Sequence, residues 1–201
     1  QPLFSPDGTV AIAVNGEIYN HQDIRRQADG SYDFQTGSDC EVILALWQQH
    51  HDNLVQLFES LNGIYAFCLY DEQRDEYLIG RDPIGVIPLY IGRDYEGRVY
   101  VASELKALEG QVSSYEPFPP GHYFRSSEGE LRRWYQRPWQ HYFWPNAKSA
   151  AVQNAEASSE SIRQALRDAV RRQMMSDVPY GVLLSGGLDS SVISAITSRY
   201  A

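Results

Sequence analysis

The stretch Val178-Pro179-Tyr180-Gly181-Val182-Leu183-Leu184-Ser185-Gly186-Gly187-Leu188-Asp189-Ser190-Ser191 passes from an apolar run, through a glycine pair, into a helical pattern that continues to Tyr200. The run Tyr180 to Leu184 reads as a buried strand, Ser185 to Gly187 as a tight turn and Asp189 to Tyr200 as a helix. Two glycines let the backbone approach a ligand closely, and the free amides at a helix start form an anion site with the positive end of the dipole. Serine hydroxyls add donors, so the turn suits a pyrophosphate. The spacing G-x-x-x-x-G-K-[ST] is absent and the turn carries no lysine, which argues against γ-phosphate transfer of the P-loop type. One helix lies upstream: Ile162, Ala165, Leu166, Ala169, Val170 and Met174 form an apolar stripe, with Arg171 and Arg172 in the last turns. One strand and two helices do not cover both faces of a parallel sheet, so this unit reads as incomplete.

Further upstream the character changes twice. Residues 137–158, rich in Ala, Asn, Ser and Gln without a clear period, read as a linker. From Val10 to Tyr135 short β-branched or aromatic runs bounded by Gly, Pro, Asp or Asn predict antiparallel strands at 10–14, 63–70, 76–81, 89–93, 98–102, 122–125 and 131–135. Ser38-Asp39-Cys40-Glu41 has capping-box spacing ahead of an apolar helix ending at His50 and His51. Asn20 reads as the cap of a shorter helix, and Leu54, Leu57, Phe58 and Leu61 step at helical spacing. The Arg81-Asp82-Pro83 to Tyr90 block reads as a turn between strands, and Ser103-Glu104 to Leu108 as a short helix with a structural role.

Composition narrows the class. The 201 residues are 43% hydrophobic and 21% charged, with mean hydropathy −0.43, which fits a globular domain rather than a disordered chain. Apolar runs are far short of the roughly 20 residues of a membrane helix. Seventeen basic against 26 acidic side chains give a net charge of −9, unfavourable for nucleic acid or anionic lipid, and the doublets Arg25-Arg26 and Arg171-Arg172 read as solvated helix faces. Two cysteines without metal-ligand spacing fit a reducing, cytoplasmic setting.

The turn from Ser185 to Ser191 resembles the PP-loop of N-type ATP pyrophosphatases, and with Val178 to Leu184 before it resembles the glutamine-hydrolysing asparagine synthetases. The upstream blocks agree: Val14-Asn15-Gly16-Glu17-Ile18-Tyr19-Asn20, Gly37-Ser38-Asp39-Cys40-Glu41, Gly80-Arg81-Asp82-Pro83, Ala102-Ser103-Glu104-Leu105-Lys106-Ala107-Leu108 and Phe118-Pro119-Pro120-Gly121-His122. Together they cover nearly the whole chain. The resemblance implies an α+β, N-terminal nucleophile hydrolase-like four-layer sandwich, two antiparallel sheets between helices, over residues 1–136. The start of an α/β PP-loop ATP pyrophosphatase domain would follow over 159–201.

The same resemblance implies roles for individual residues. The Asn15 side chain and the Gly16 amide form the oxyanion hole of glutamine hydrolysis, worth about 3 to 4 kcal/mol per donor in comparable sites. Glu17 and Asp39 hold the α-amino group of glutamine, so that the glutamine site comprises Asn15, Gly16, Glu17 and Asp39. Leu184, Ser185, Gly186, Gly187, Asp189 and Ser190 bind ATP, with Mg²⁺ as its counterion and no metal ligands assigned. Without the resemblance, Asn15-Gly16 reads as a turn and Asp39 as a first-turn carboxylate.

The implied reaction turns L-aspartate, ATP and L-glutamine into L-asparagine, AMP, pyrophosphate and L-glutamate, in a cytoplasmic enzyme for which a homodimer is one permitted assembly. The family's attacking thiol belongs to an N-terminal cysteine. Gln1 stands at the start here, so the sequence reads as an internal fragment, inactive alone. Rival readings are another ATP-dependent class 2 amidotransferase, a β-lactam synthetase-like enzyme and a non-catalytic glutamine-binding remnant.

Overall fold

The computed structural model of the protein describes residues 1–137 and 158–200, which fall into two compact units divided after Gln136. The linker expected at 137–158 therefore lies, but for its two end residues, outside the described residues.

The first unit is built on two antiparallel sheets, as expected. Strands β1 (Leu3–Phe4), β2 (Val10–Ile18), β3 (Gly63–Asp71), β4 (Glu76–Arg81), β8 (His122–Arg125) and β9 (Leu131–Arg133) form one sheet in the order β1-β2-β3-β4-β8-β9. Strands β5 (Tyr90–Arg93), β6 (Val99–Ala102) and β7 (Ser114–Pro117) form the other in the order β6-β5-β7. Three helices, α1 (His21–Gln27), α2 (Val42–His50) and α3 (Leu54–Glu59), complete the unit together with short 3-10 turns.

Because side chains alternate along a strand, the larger sheet has two different apolar faces. Val10, Ile12 and Val14 of β2, Tyr65, Phe67 and Leu69 of β3 and Leu78 of β4 pack with the helices, where Phe58 stacks on Phe67, Tyr123 and Trp134. Ala66, Cys68, Tyr77 and Ile79 turn the other way and pack with Leu89 and with Ile91, Val99 and Val101 of the smaller sheet. The odd-numbered side chains of β2 lie on this second face.

Several local readings change. β2 runs on to Ile18 because all nine of its residues are in register with β3, from Val10↔Asp71 to Ile18↔Gly63, so the strand expected at 10–14 extends through Asn15-Gly16-Glu17. β7 escaped the pattern because all four of its residues are exposed. Asn20 does not cap α1 with its side chain; it donates to Ser60 O (2.9 Å) and accepts from Asn62 N (2.9 Å), tying α1 to the entry of β3. The capping box also stays open: Ser38 Oγ accepts from Cys40 N, but Asp39–Glu41 is a 3-10 turn, and the buried Glu41 carboxylate turns back to Gln35 N (2.6 Å), Thr36 N (2.8 Å) and Thr36 Oγ1 (2.6 Å).

Arg25 joins that knot. It donates to Thr36 O, Ser38 O and Glu41 and covers the Phe34 ring at 4.1 Å, so it anchors the 34–41 loop instead of lining a solvated face.

In the second unit, Ser158 caps helix α4 (Ser159–Gln173) by accepting from Ser161 N at 3.0 Å, and α5 (Leu188–Thr197) follows the glycine pair. The strand expected at Tyr180 to Leu184 is not formed. The segment has no regular secondary structure and pairs with no strand among the described residues, and Leu183 is 95% exposed; a strand exists only through a neighbour's ladder. No helix of the described residues is long and apolar enough to cross a membrane.

Candidate functional site

Tyr65 decides which way the end of β2 faces. Its carbonyl accepts from Asp82 N (2.9 Å) and its amide donates to Asp82 Oδ2 (3.3 Å), so its polar backbone points away from β2. Asp82 is itself buried, collecting the amides of Ile84, Gly85 and Val86 on Oδ1. Gly16, the partner of Tyr65 in the register, consequently presents its own backbone to the outer edge of β2. Three residues two apart share that edge. Val14 exchanges bonds with the Gln1 carboxamide (N to Oε1 2.7 Å, and O from Nε2 2.5 Å), Gly16 O accepts from Cys40 Sγ (3.6 Å), and Ile18 N donates to Asp39 Oδ2 (2.7 Å). The Gly16 amide sits between two satisfied neighbours.

Gly16 also lies tight against the backbone of β3. Its φ is +142°, and a Cβ there would stand 2.0 Å from Ile64 O and 2.7 Å from Tyr65 Cα. No side chain fits.

Around this point the expected glutamine-site residues come together. The Asn15 carboxamide lies on the sheet-facing side, where Nδ2 donates to Ser103 Oγ at 3.2 Å. Asp39 is brought to the strand by its bond to Ile18, a charge-assisted bond of about 1.5 to 3 kcal/mol. Glu17 is exposed beside them. Both carboxylates act on the thiol between them: burial pushes Cys40 up to about 12, with Asp39 and then Glu17 adding to the shift. Two donors and two carboxylates at one strand end match an amino acid bearing a carbonyl oxygen and an ammonium group.

Burial alone lifts Cys68 to about 11, so burial works against the thiolate form at both cysteines, and neither is in a disulfide. Purified 201-residue chain incubated with glutamine should release no glutamate above background; release that vanishes in Cys40→Ala would assign Cys40 a catalytic role.

The residues expected to bind ATP lie in and beside one turn of the second unit. Gly186 takes φ +82° with open space, nothing within 4 Å, where a Cβ would stand, and Gly187 caps α5 without a side-chain bond to the helix amides. Ser185 Oγ and Ser190 Oγ are 2.9 Å apart, while Ser190 and Ser191 donate to Gly187 O. Leu184 and Asp189 flank the turn, both exposed. The open cradle of amides fits a polyphosphate. Its one carboxylate, Asp189, suits a phosphate-borne Mg²⁺ rather than a metal held by protein alone, and the described residues include no cluster of three or more metal-ligating side chains.

Ser103 carries no sequence signal as a site residue because its partner is 88 positions away and on another sheet. No local pattern announces that contact.

Two antiparallel sheets thus bring the Asn15 carboxamide and the edge amide of Gly16 to one end of β2, beside Asp39. The chain belongs to the glutamine amidotransferase domain family, whose model matches residues 1–135. A model for asparagine synthase matches residues 161–201. The chain is 52% identical over 201 residues to asparagine synthetase B [glutamine-hydrolyzing] of Escherichia coli (strain K12), covering all of this chain and 34% of that protein. It is 45% identical over 203 residues to a probable asparagine synthetase [glutamine-hydrolyzing] of Dictyostelium discoideum, covering 35% of it. The chain thus spans about a third of the length of the curated relatives it matches. Among solved structures, the glutamine phosphoribosylpyrophosphate amidotransferase from B. subtilis complexed with ADP and GMP aligns with 99% of this chain and 47% of its own, at TM-score 0.57 and 23% identity, a likeness of fold.

Proposed function

We propose that this chain carries the glutamine-hydrolysing site and the nucleotide turn of a glutamine-dependent asparagine synthetase. Residues 1–136 are the glutaminase domain, 137–158 the linker and 159–201 the start of the synthetase domain. The observation that supports this most is the end of β2, where Asn15, held from the other sheet, and the edge amide of Gly16 stand beside Asp39. The relatives named as asparagine synthetases at 45 and 52% identity support the substrate assignment.

In this reading the carbonyl oxygen of the glutamine side chain rests on Asn15 Nδ2 and the Gly16 amide, which stabilise the negative charge of the tetrahedral intermediate. Asp39 and Glu17 receive the α-ammonium group and fix the register of the substrate. Water hydrolyses the side chain to L-glutamate and ammonia. In the second unit the amides and hydroxyls of Ser185 to Ser190 hold the β and γ phosphates as the aspartate β-carboxylate displaces pyrophosphate from ATP. Bound Mg²⁺ supplies neutralisation of the departing charge. Ammonia attacks the aspartyl adenylate, giving L-asparagine and AMP. Two reduced cysteines suit a cytoplasmic setting.

The test is isotopic. Full-length enzyme given amide-¹⁵N glutamine, aspartate, ATP and Mg²⁺ should place the label in the asparagine side chain with one AMP and one pyrophosphate per turnover. Formation of ADP, or unlabelled product, would exclude the reading.

A further inference from the structure

Asn15 and Ser103 each have one side-chain hydrogen bond among the described residues, and it is the bond between them. The asparagine is exposed on a flat strand, where the last torsion of a carboxamide is a broad, nearly two-fold rotor. Ala13, its neighbour on the same face of β2, is too short and apolar to hold it. The brace comes from the opposite layer. Ser103 directly follows Ala102, the last rung of β6 against Tyr90 of β5, and is half-buried. Asn15 and Ser103 both line a cleft of about 210 Å³ whose other lining is mostly apolar, Ala66, Leu89 and Val101 among it. The other carboxamide in that lining, Gln1, is engaged by Val14 N and O, which leaves Ser103 as the side chain that holds Asn15.

We propose that Ser103 is a positioning residue for glutamine hydrolysis: its hydroxyl accepts one N–H of Asn15 and thereby fixes the direction of the other. This rests on the oxyanion role assigned to Asn15 above. The carboxamide has two N–H bonds in one plane, so occupying one sets the line of its partner. Preorganised donors stabilise charge without reorientation during the reaction, and a freely turning amide loses that advantage. The bond acts on the transition state, so its loss lowers kcat and leaves the KM for glutamine near its original value. The synthetase reaction fed by ammonia does not use the site.

The experiment is a double-mutant cycle in the full-length enzyme with Ser103→Ala, Asn15→Ala, the pair together, and Ser103→Thr. Expected for Ser103→Ala is a fall of about 10-fold in kcat for glutamine hydrolysis, with KM and ammonia-supported synthesis each within twofold of the parent. Ser103→Thr, which keeps the hydroxyl and suits a strand terminus, should recover most of the loss. In the Asn15→Ala background, Ser103→Ala should cost nothing more. The proposal is overturned if Ser103→Ala leaves kcat unchanged, if Thr is as slow as Ala, if the two losses multiply, or if ammonia-supported synthesis falls in parallel. A normal glutaminase rate in Asn15→Ala would instead remove the underlying reading of the oxyanion site.

Discussion

On the oxyanion role proposed for Asn15, replacing it by alanine in the full-length enzyme should lower glutamine hydrolysis by about 10²- to 10³-fold while asparagine formation from added ammonium continues at the parental rate. The size follows from position. The carboxamide projects from a strand paired along nine residues and is braced across the sheet gap by Ser103, so it is ready before charge develops. Its removal leaves the Gly16 amide as the sole donor of the pair. The selectivity follows from chemistry: free ammonia enters after the amide has been hydrolysed and does not meet the oxyanion site. Steady-state rates with glutamine and with ammonium chloride as alternative nitrogen sources measure both halves. Parallel loss of the two activities would mean that Asn15 supports the fold and not the reaction.

Gly16→Ala should be the most destabilising single methyl group in the first unit, costing more than about 3 kcal/mol. Two penalties add. The residue occupies φ +142°, where side chains are rarely found, and the new Cβ would lie 2.0 Å from Ile64 O, which belongs to the paired backbone and not to a side chain free to rotate. Relief requires β2 and β3 to part at the rung that directs the Gly16 amide outward. Urea unfolding of the 201-residue chain, followed by tryptophan fluorescence from Trp47 and Trp134 in the helix-side core, reads the loss. Gly37→Ala is the control: nothing lies within 4 Å of its added Cβ, so a change within about 0.5 kcal/mol is expected. Equal stability of the two variants would show that the sheet yields at Gly16 without cost.

Much of the fold was legible because its physics is local. Unbroken apolar and aromatic runs in 63–70 and 76–81 announce strands with two buried faces, and the apolar stretch after Asp39 announces α2. Where the sequence misled, the deciding partner was distant. Glu41 has the spacing to close a capping box but finds better donors in the loop that Arg25 folds over it. Asn20 has the chemistry of a cap but spans 42 residues to Asn62. In the candidate site, Asn15, Gly16 and Asp39 were visible through their motif, whereas the edge geometry of Gly16 depends on Asp82 turning Tyr65 away, which no window of sequence contains.

The carboxamide clasp of Gln1 on Val14 has a colloidal consequence. Register along β1 and β2 (Leu3↔Ile12, Phe4↔Ala11) makes position 1 the next partner of Val14, and there a side-chain amide stands in for the main chain. A peptide group offers the same donor and acceptor but is followed by another, so a foreign strand seated on it can lengthen residue by residue into an intermolecular ladder. The side-chain amide already fills the rung at Val14, so a strand approaching this edge has to displace it before it can pair there.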